Sequence, residues 1–390
     1  MTGVLLGIYL FRAGLSSFAI GLVIGVGLAG AALATVVVSL AADGFGRRRS
    51  LVVLSLLSGI GAIALVIFPS LPVLLLLAFV GMLNGTGTDR SASHALDQAV
   101  IPGLGSDSNR TWNLAIYNAL LDGGGSLGAL VAGLPILLQH RFSYTQPSSY
   151  RFMFLAYGLS CLLVAVVYLL LSPTAEVANP TPWAAASKMS AKAKTTVTKL
   201  TALFSLDAFG GGFLTDALVS YWFYRRFGVS EGELGLVFFA VHILNAFSHL
   251  GAAWLALRIG LVNTMVFTHL PSSLFLMAVP FAFSFKWAVV LFLCREALVE
   301  MDVPTRQSYV AAVVSPGERT FASGMTNLAR NVFWSVGSTV AGVLMQSLTF
   351  SAPLLVGAGA KITYDVVLYG AFRKVKPPEE EGRPLRALRQ

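Results

Sequence analysis

Apolar residues in this chain come in long, nearly unbroken runs, and the spacing of those runs sets the expected architecture. A helix that crosses the hydrocarbon core of a bilayer needs about 20 predominantly apolar residues. Eleven runs of that kind, separated by Pro, Gly or charged clusters, occupy residues 17–42, 50–69, 72–98, 110–138, 151–172, 200–226, 231–257, 261–284, 287–313, 319–349 and 352–372. An apolar stub at residues 1–12 precedes them. The stub has no basic region and no small-residue cleavage site, so it reads as the end of a helix rather than a signal peptide. The expected fold is all-α and membrane-embedded.

The pattern occurs twice. Gly14, Ser16, Gly21 and Leu22 recur as Gly228, Ser230, Gly235 and Leu236 at a separation of 214, and the same offset carries Gly46 to Gly260 and Pro102 to Pro316. In the fifth span, Arg110, Thr111, Asn118, Gly128, Ala132 and Gly133 match Arg319, Thr320, Asn327, Gly337, Ala341 and Gly342 at an offset of 209. The change of offset falls in the loop before Asn109, where an insertion disturbs no helix. The expected domains are two parallel-repeat six-helix halves, 1–172 and 200–372, with a linker at 173–199 and a tail at 373–390. In this register residue 1 corresponds to Thr215, whereas the seventh span begins near Leu200. The first helix is therefore expected to lack about 14 residues, through a start codon set too far downstream or through truncation.

Composition agrees with a bilayer as solvent. Of 390 residues 56% are hydrophobic and 12% charged, about half the charged fraction of soluble domains. That excludes an ordinary water-soluble enzyme and a disordered chain. The excess of 27 Lys+Arg over 18 Asp+Glu fits basic loops beside anionic lipid rather than a nucleic-acid partner. With the residues after the second span placed inside, the inner loops and tail carry 16 Lys and Arg and the outer loops six, so the linker and C-terminus are expected in the cytoplasm. Cys161 and Cys294 lie in apolar runs and read as small core residues.

Between the second and third spans stands "LAADGFGRRRSL", with Asp43, Gly46, Arg47 and Arg48 in the pattern D-x-x-G-R-R. This loop, with the twelve-span, two-half organisation around it, resembles the major facilitator superfamily over nearly the whole chain. The usual leading Gly is Ser39 here, and the usual basic residue after the Asp is Gly44. The resemblance implies that Asp43, Gly46, Arg47 and Arg48 form a cytoplasmic gating loop. It also implies that the first, fourth, seventh and tenth helices line a central cavity and that transport proceeds by alternating access.

Ionisable residues inside spans cost about 2.5–3.5 kcal/mol each and point by default to the interior and to function. The tenth span holds Arg295, Glu296, Glu300, Asp302 and Arg306. At about 100° per residue, Arg295, Asp302 and Arg306 share one stripe, with Glu296 and Glu300 beside them. Asp302 and Arg306 can pair at i and i+4, and Pro304 can open the helix. The fourth span supplies Asp89, Arg90, His94 and Asp97, with Arg90 and Asp97 on one face. Asp207 and Asp216 in the seventh span are nine residues apart and cannot share a face of a straight helix, though the run Gly210–Gly212 could break it. Asp216 reads equally as an interfacial residue in an aromatic belt. Asp122 and Arg330 read as packing or inter-half contacts rather than substrate ligands, Lys361 and Asp365 as a self-satisfied i, i+4 pair, and His242, His249 and His269 as hydrogen-bonded core residues rather than a proton relay. No metal site or cofactor is expected.

No phosphate-binding G-x-x-x-x-G-K-[ST] run is present, so ATP is not the expected energy source. Carboxylates whose protonation follows solvent access supply a means of proton coupling, with Asp302 and Glu300 first and Asp89 and Asp97 next. The leading expectation is a monomeric, proton-coupled exporter of a small organic molecule, of the drug/proton antiport kind, although "DGGGSLGALVAGLP" lacks the Gly-Pro-x-x-Gly-Gly signature of such antiporters. The alternative is an organic-anion symporter or uniporter using Arg90, Arg295 and Arg306. A non-transporting receptor or scaffold is a third reading. No nucleophile and base at workable spacing suggest an enzyme.

Overall fold

The computed structural model describes residues 1–67, 70–83, 85–86, 92–94, 110–171, 191–314 and 319–375, with the side chains of 39–44, 110, 191–193 and 319–321 left out of account. The described residues are helical throughout, without strands. Helices α1 (Thr2–Arg12), α2 (Ser17–Phe45), α3 (Arg47–Ile67), α4 (Leu71–Val80), α5 (Arg110–Val131), α6 (Leu134–Phe142) and α7 (Gln146–Leu169) come first. They are followed by α8 (Ala191–Gly212), α9 (Asp216–Phe227), α10 (Glu231–Ile259), α11 (Leu261–Ala278), α12 (Phe285–Val299), α13 (Asp302–Ala312), α14 (Arg319–Ser347) and α15 (Ala352–Phe372).

The repeat read from sequence is written into the backbone. Among the described residues the positive-φ glycines are Gly14, Gly46, Gly228 and Gly260, two pairs at the repeat offset of 214. Each follows a long helix or opens the next, where the chain must turn through a conformation open mainly to Gly. At the same offset α1 overlies α9, and α2 overlies α10 residue for residue.

Three spans expected to be single helices are broken, each for a local reason. The seventh divides into α8 and α9 at Phe213–Thr215, just after Gly210–Gly212. The tenth divides into α12 and α13 at Glu300–Met301. Pro304 has no N–H for the Glu300 carbonyl four residues earlier, and its ring crowds that carbonyl. The fifth divides into α5 and α6 at Ala132–Gly133, because Pro135 has no N–H for the Val131 carbonyl four residues earlier. Eight stretches, not eleven, are long and apolar enough to cross a membrane among the described residues. The tenth and eleventh expected spans fall short because their polar faces interrupt the apolar run, and only part of the fourth is described.

Side chains sort as a bilayer requires. Large apolar groups such as Leu120, Leu170, Phe247 and Phe283 face outward, while Trp222, Tyr221, Phe223, Phe238 and Phe292 fill the interior. Cys294, expected in the core, is exposed on that outer face, and Cys161 is half-buried. Helix α2 packs along α14, α5 along α10, α8 against α14, and α1 against α9. The α2–α14 contact is made by glycine: a Cβ on Gly21 would stand 2.6 Å from the Ser338 carbonyl oxygen and 2.8 Å from the Gly342 Cα. The broken seventh span is tied by the amide of Ala217, which donates to the Gly85 carbonyl at 2.9 Å.

A second polar tie joins the helices at one end of the molecule. Glu231, buried at the start of α10, pairs with Arg12 of α1 and accepts a 2.5 Å hydrogen bond from the Tyr150 hydroxyl of α7. Arg12 also donates to Tyr224 Oη at 3.2 Å and lies 5.4 Å from the ring centres of Tyr150 and Tyr224. Glu231→Gln is expected to lower stability by about 2 kcal/mol, since it leaves a half-buried guanidinium without its counter-charge. Thermal unfolding in detergent checks this, and Tyr150→Phe should cost about half as much.

Candidate transport site

The broken helices enclose a polar cavity of about 80 Å³, room for a few waters or a small polar group. Its lining comes from α5, α8, α9, α10, α11, α12, α13, α14 and α15, with Thr86 and Asp122 the contributions from before residue 200. Of the residues expected at the site, Asp207, Arg295, Glu296, Glu300, Asp302 and Arg306 all line it. Asp89, Arg90 and Asp97 lie outside the described residues. His94 of the fourth span is described, with Nδ1 3.0 Å from the Tyr117 hydroxyl of α5.

At one side of the cavity buried charges form a continuous chain. Asp207 of α8 accepts from Lys361 Nζ of α15 at 2.8 Å through Oδ1 and from Arg306 Nη1 of α13 at 3.3 Å through Oδ2. Arg306 also donates to Asp302 Oδ2 at 2.5 Å, one turn back. Lys361 Nζ lies 3.3 Å from His269 Nε2 of α11, and His269 Nδ1 lies 3.0 Å from both oxygens of Asp365. An ammonium can only donate, so Nε2 accepts and the ring proton sits on Nδ1, facing Asp365. The sequence Asp365–His269–Lys361–Asp207–Arg306–Asp302 is thus a path of hydrogen-bonded titratable groups across four helices.

This arrangement corrects the expected Lys361–Asp365 pair. The two residues are on one helix, but each finds its partner elsewhere, Lys361 on Asp207 and Asp365 on His269. In low dielectric a carboxylate or ammonium from a facing helix, held by packing, outweighs the weak i, i+4 contact along the same helix.

A second cluster sits at the α5–α10 contact. Asp122 of α5 holds one histidine on each oxygen, His242 Nδ1 at 2.8 Å and His249 Nε2 at 2.8 Å. His242 Nε2 in turn lies 3.2 Å from Asp216 Oδ2 at the start of α9. Asp122 therefore makes the expected inter-half contact, as an acceptor shared by two buried histidines that are hydrogen-bonded as expected. Asp216 lines the cavity instead of an outer aromatic belt, because the break after Gly212 frees α9 to turn it toward Asp207's cavity. The signal for this cluster was the seven-residue spacing of His242 and His249, two helical turns that put both on one face. The partner on a helix 120 residues away left no local trace.

The other expected residues are placed as follows. Arg295 pairs with the adjacent Glu296. Arg330 of α14 lines the cavity with its guanidinium 5.6 Å from the centre of the Trp334 ring. In the D-x-x-G-R-R loop Gly46 adopts φ +106, and Arg48 Nη1 donates to the Leu171 carbonyl at 3.5 Å, just past the end of α7. The Asp43 side chain is outside the described residues. No group of three or more His, Cys, Asp or Glu arranged to hold a metal occurs among the described residues.

Two broken helices around a buried polar cavity, in a chain with an internal repeat, describe a transporter fold. The Major Facilitator Superfamily family model matches residues 1–295 and, overlapping it, 200–389. The chain belongs to the major facilitator superfamily. A curated relative, "Uncharacterized membrane protein YJR124C" of Saccharomyces cerevisiae, is 25% identical over 406 aligned positions covering 95% of this chain and 90% of the relative. Among solved structures, the human organic anion transporter MFSD10 (TETRAN) superposes with a TM-score of 0.65 at 18% identity, covering 90% of this chain and 84% of that one. The proton:xylose symporter XylE gives 0.68 at 14% identity over 95% and 92%, and the nucleoside transporter NupG 0.68 at 15% over 94% and 93%. This superfamily member is a multi-pass membrane protein and a secondary transporter, of a family whose members bind small-molecule substrates.

Proposed function

We propose that this transporter moves a small polar solute by alternating access in exchange for protons. The observation that carries the reading is the path Asp365–His269–Lys361–Asp207–Arg306–Asp302, whose members from His269 onward line the cavity and which contains the carboxylates and imidazole a proton needs. Such buried charge costs stability unless paired, and pairs that rearrange with protonation convert that cost into coupling. The halves 1–172 and 200–372 would rock about the cavity, with the linker, the C-terminus and the loop of Asp43, Gly46, Arg47 and Arg48 on the cytoplasmic side.

The charged lining supports a small polar cargo over a lipophilic drug. It also weakens the organic-anion alternative, since Arg295 and Arg306 already contact Glu296, Asp302 and Asp207.

Proteoliposomes with an imposed pH gradient test the reading, with neutral, cationic and anionic small solutes offered in turn. Accumulation should follow the gradient and collapse when a protonophore is added; movement indifferent to the gradient rejects coupling. Asp302→Asn is expected to abolish accumulation while sparing solute exchange, because Arg306 keeps Asp207 as a partner. Unchanged accumulation removes Asp302 from the path.

A further inference from the structure

We infer that His242 is a fixed imidazolium, a positive clamp that ties α5 to α9 and α10 and so holds the two halves together along one seam. The inference deepens the transporter reading above and rests on it for the motion that the clamp restrains. His242 is 3% exposed and has a carboxylate oxygen at each ring nitrogen, Asp122 Oδ1 2.8 Å from Nδ1 and Asp216 Oδ2 3.2 Å from Nε2. A neutral imidazole carries one N–H and one lone pair. With its proton on Nδ1, the bare Nε2 meets the Asp216 carboxylate; with the proton on Nε2, the bare Nδ1 meets Asp122. The doubly protonated ring alone presents an N–H at both contacts. Imidazole is a stronger base than a carboxylate by roughly 400-fold in water, so the extra proton belongs on the ring.

His249 and His269 show the contrast. His249 meets one carboxylate, Asp122 Oδ2 at Nε2, and its Nδ1 is buried without a partner. His269 meets Asp365 at Nδ1 and the Lys361 ammonium at Nε2. A single ring proton satisfies each of them. The other charged groups on the elements packed against α10 are committed or remote. Arg295 of α12 pairs with Glu296, Arg306 of α13 with Asp302, and Arg12 of α1 with Glu231 at the start of α10. Arg225 and Arg226 of α9, His140 and Arg141 of α6 and Lys286 of α12 are exposed. Glu300, just after α12, lines the same cavity as His242, and the Met1 amino group interacts with Asp216.

The clamp stands in one of two related seams. At the repeat offsets His242 corresponds to Leu28, His249 to Thr35 and Asp122 to Asn331, so the α5–α10 packing has its counterpart in α14–α2. In that counterpart glycines bring the backbones together, and Ser335 Oγ donates a neutral hydrogen bond to the Gly25 carbonyl at 2.6 Å. The α5–α10 seam also has a close glycine contact, Gly235 against the Ala129 carbonyl, but adds the charged ring. Gly125 leaves the ring little room to turn, since a Cβ there would lie 3.2 Å from Nδ1. Loss of one proton from His242 therefore leaves a bare ring nitrogen facing a carboxylate, and either the Asp122 or the Asp216 contact must part. One seam answers to a proton and its counterpart does not.

The test uses the purified full chain in detergent and two readouts. Nuclear magnetic resonance of isotopically labelled histidine nitrogens reports the protonation of each ring, with His242 assigned by its loss in His242→Gln. Spin labels on Leu130→Cys of α5 and Leu236→Cys of α10, both exposed, report the width of the seam once Cys161 and Cys294 are replaced by Ser. At neutral pH both nitrogens of His242 should be protonated and the labels should give one short separation, which lengthens as the pH is raised and the ring loses its proton. His242→Gln, which keeps a donor without the charge, should show the longer separation already at neutral pH. His242→Arg, which stays charged, should keep the short one throughout; should it not fold, the parent chain and His242→Gln decide. A bare nitrogen on His242 at neutral pH, or a separation that neither alkaline pH nor His242→Gln alters, would overturn the inference. A neutral ring in protein that accumulates solute sinks the clamp alone, and a doubly protonated ring in protein that moves no solute sinks the transporter reading and leaves the clamp.

Discussion

Asp207→Asn is expected to remove concentrative transport altogether and to destabilise the protein by about 3–5 kcal/mol, the usual cost of breaking a buried ion pair. Asp207 is 3% exposed and is the shared acceptor for two cations from two other helices, Lys361 on α15 and Arg306 on α13. An amide can offer its oxygen to one of them and must turn donor hydrogens toward the other. Arg306 retains Asp302, whereas Lys361 is left with His269 as its neutral partner. The double variant Asp207→Asn/Lys361→Met removes the stranded charge with the carboxylate, so it should recover most of the thermal stability and none of the accumulation. Recovery of both would show that the pair is structural and plays no part in coupling. Thermal unfolding and gradient-driven uptake on the same preparations separate these outcomes.

The second large effect is expected from Gly21→Val. The α2–α14 contact brings backbone to backbone, and a Cβ at position 21 would lie 2.6 Å from the Ser338 carbonyl oxygen and 2.8 and 2.9 Å from the Gly342 Cα and N. No flexible side chain is there to yield, so the helices must separate, and overpacking of this kind costs about 1–3 kcal/mol or more. Gly342→Val attacks the same contact from the other side, its Cβ falling 2.6 Å from the Ser17 carbonyl oxygen. Both variants should lose folded yield and thermal stability. Gly359→Ala, at a position with open space around it, should lose neither. Size-exclusion chromatography and thermal unfolding provide the comparison.

The repeat and most helices were legible in the sequence because the bilayer makes hydrophobicity and backbone geometry do the same job. Gly14 and Gly46 recur as Gly228 and Gly260, and all four have the positive φ that requires them. The break before Pro304 was legible from the missing donor, and the Asp302–Arg306 pair from its spacing on one turn. The same spacing misled at Lys361 and Asp365, where partners on α8 and α11 prevail. The Asp122–His242–His249 cluster was hidden for a related reason: its members are harmless singly in apolar helices and meaningful only once α5 lies against α10. Asp216 needed the break after Gly212, which directs a residue nine positions from Asp207 into the same cavity. Local rules reach the helix and its turns; which carboxylate meets which cation is decided by packing between elements far apart in the chain.

Everything proposed for this transporter depends on water reaching the cavity from each side of the membrane in turn. With Cys161 and Cys294 replaced by Ser, single cysteines at Asn245 and Val299, which line the cavity, can be probed in sealed vesicles of both orientations with a membrane-impermeant thiol reagent. A cysteine at Leu274, on the lipid-facing surface, serves as the control. The account predicts that Asn245→Cys and Val299→Cys are modified from both sides and Leu274→Cys from neither. Cavity cysteines that remain unmodified from both sides would contradict it.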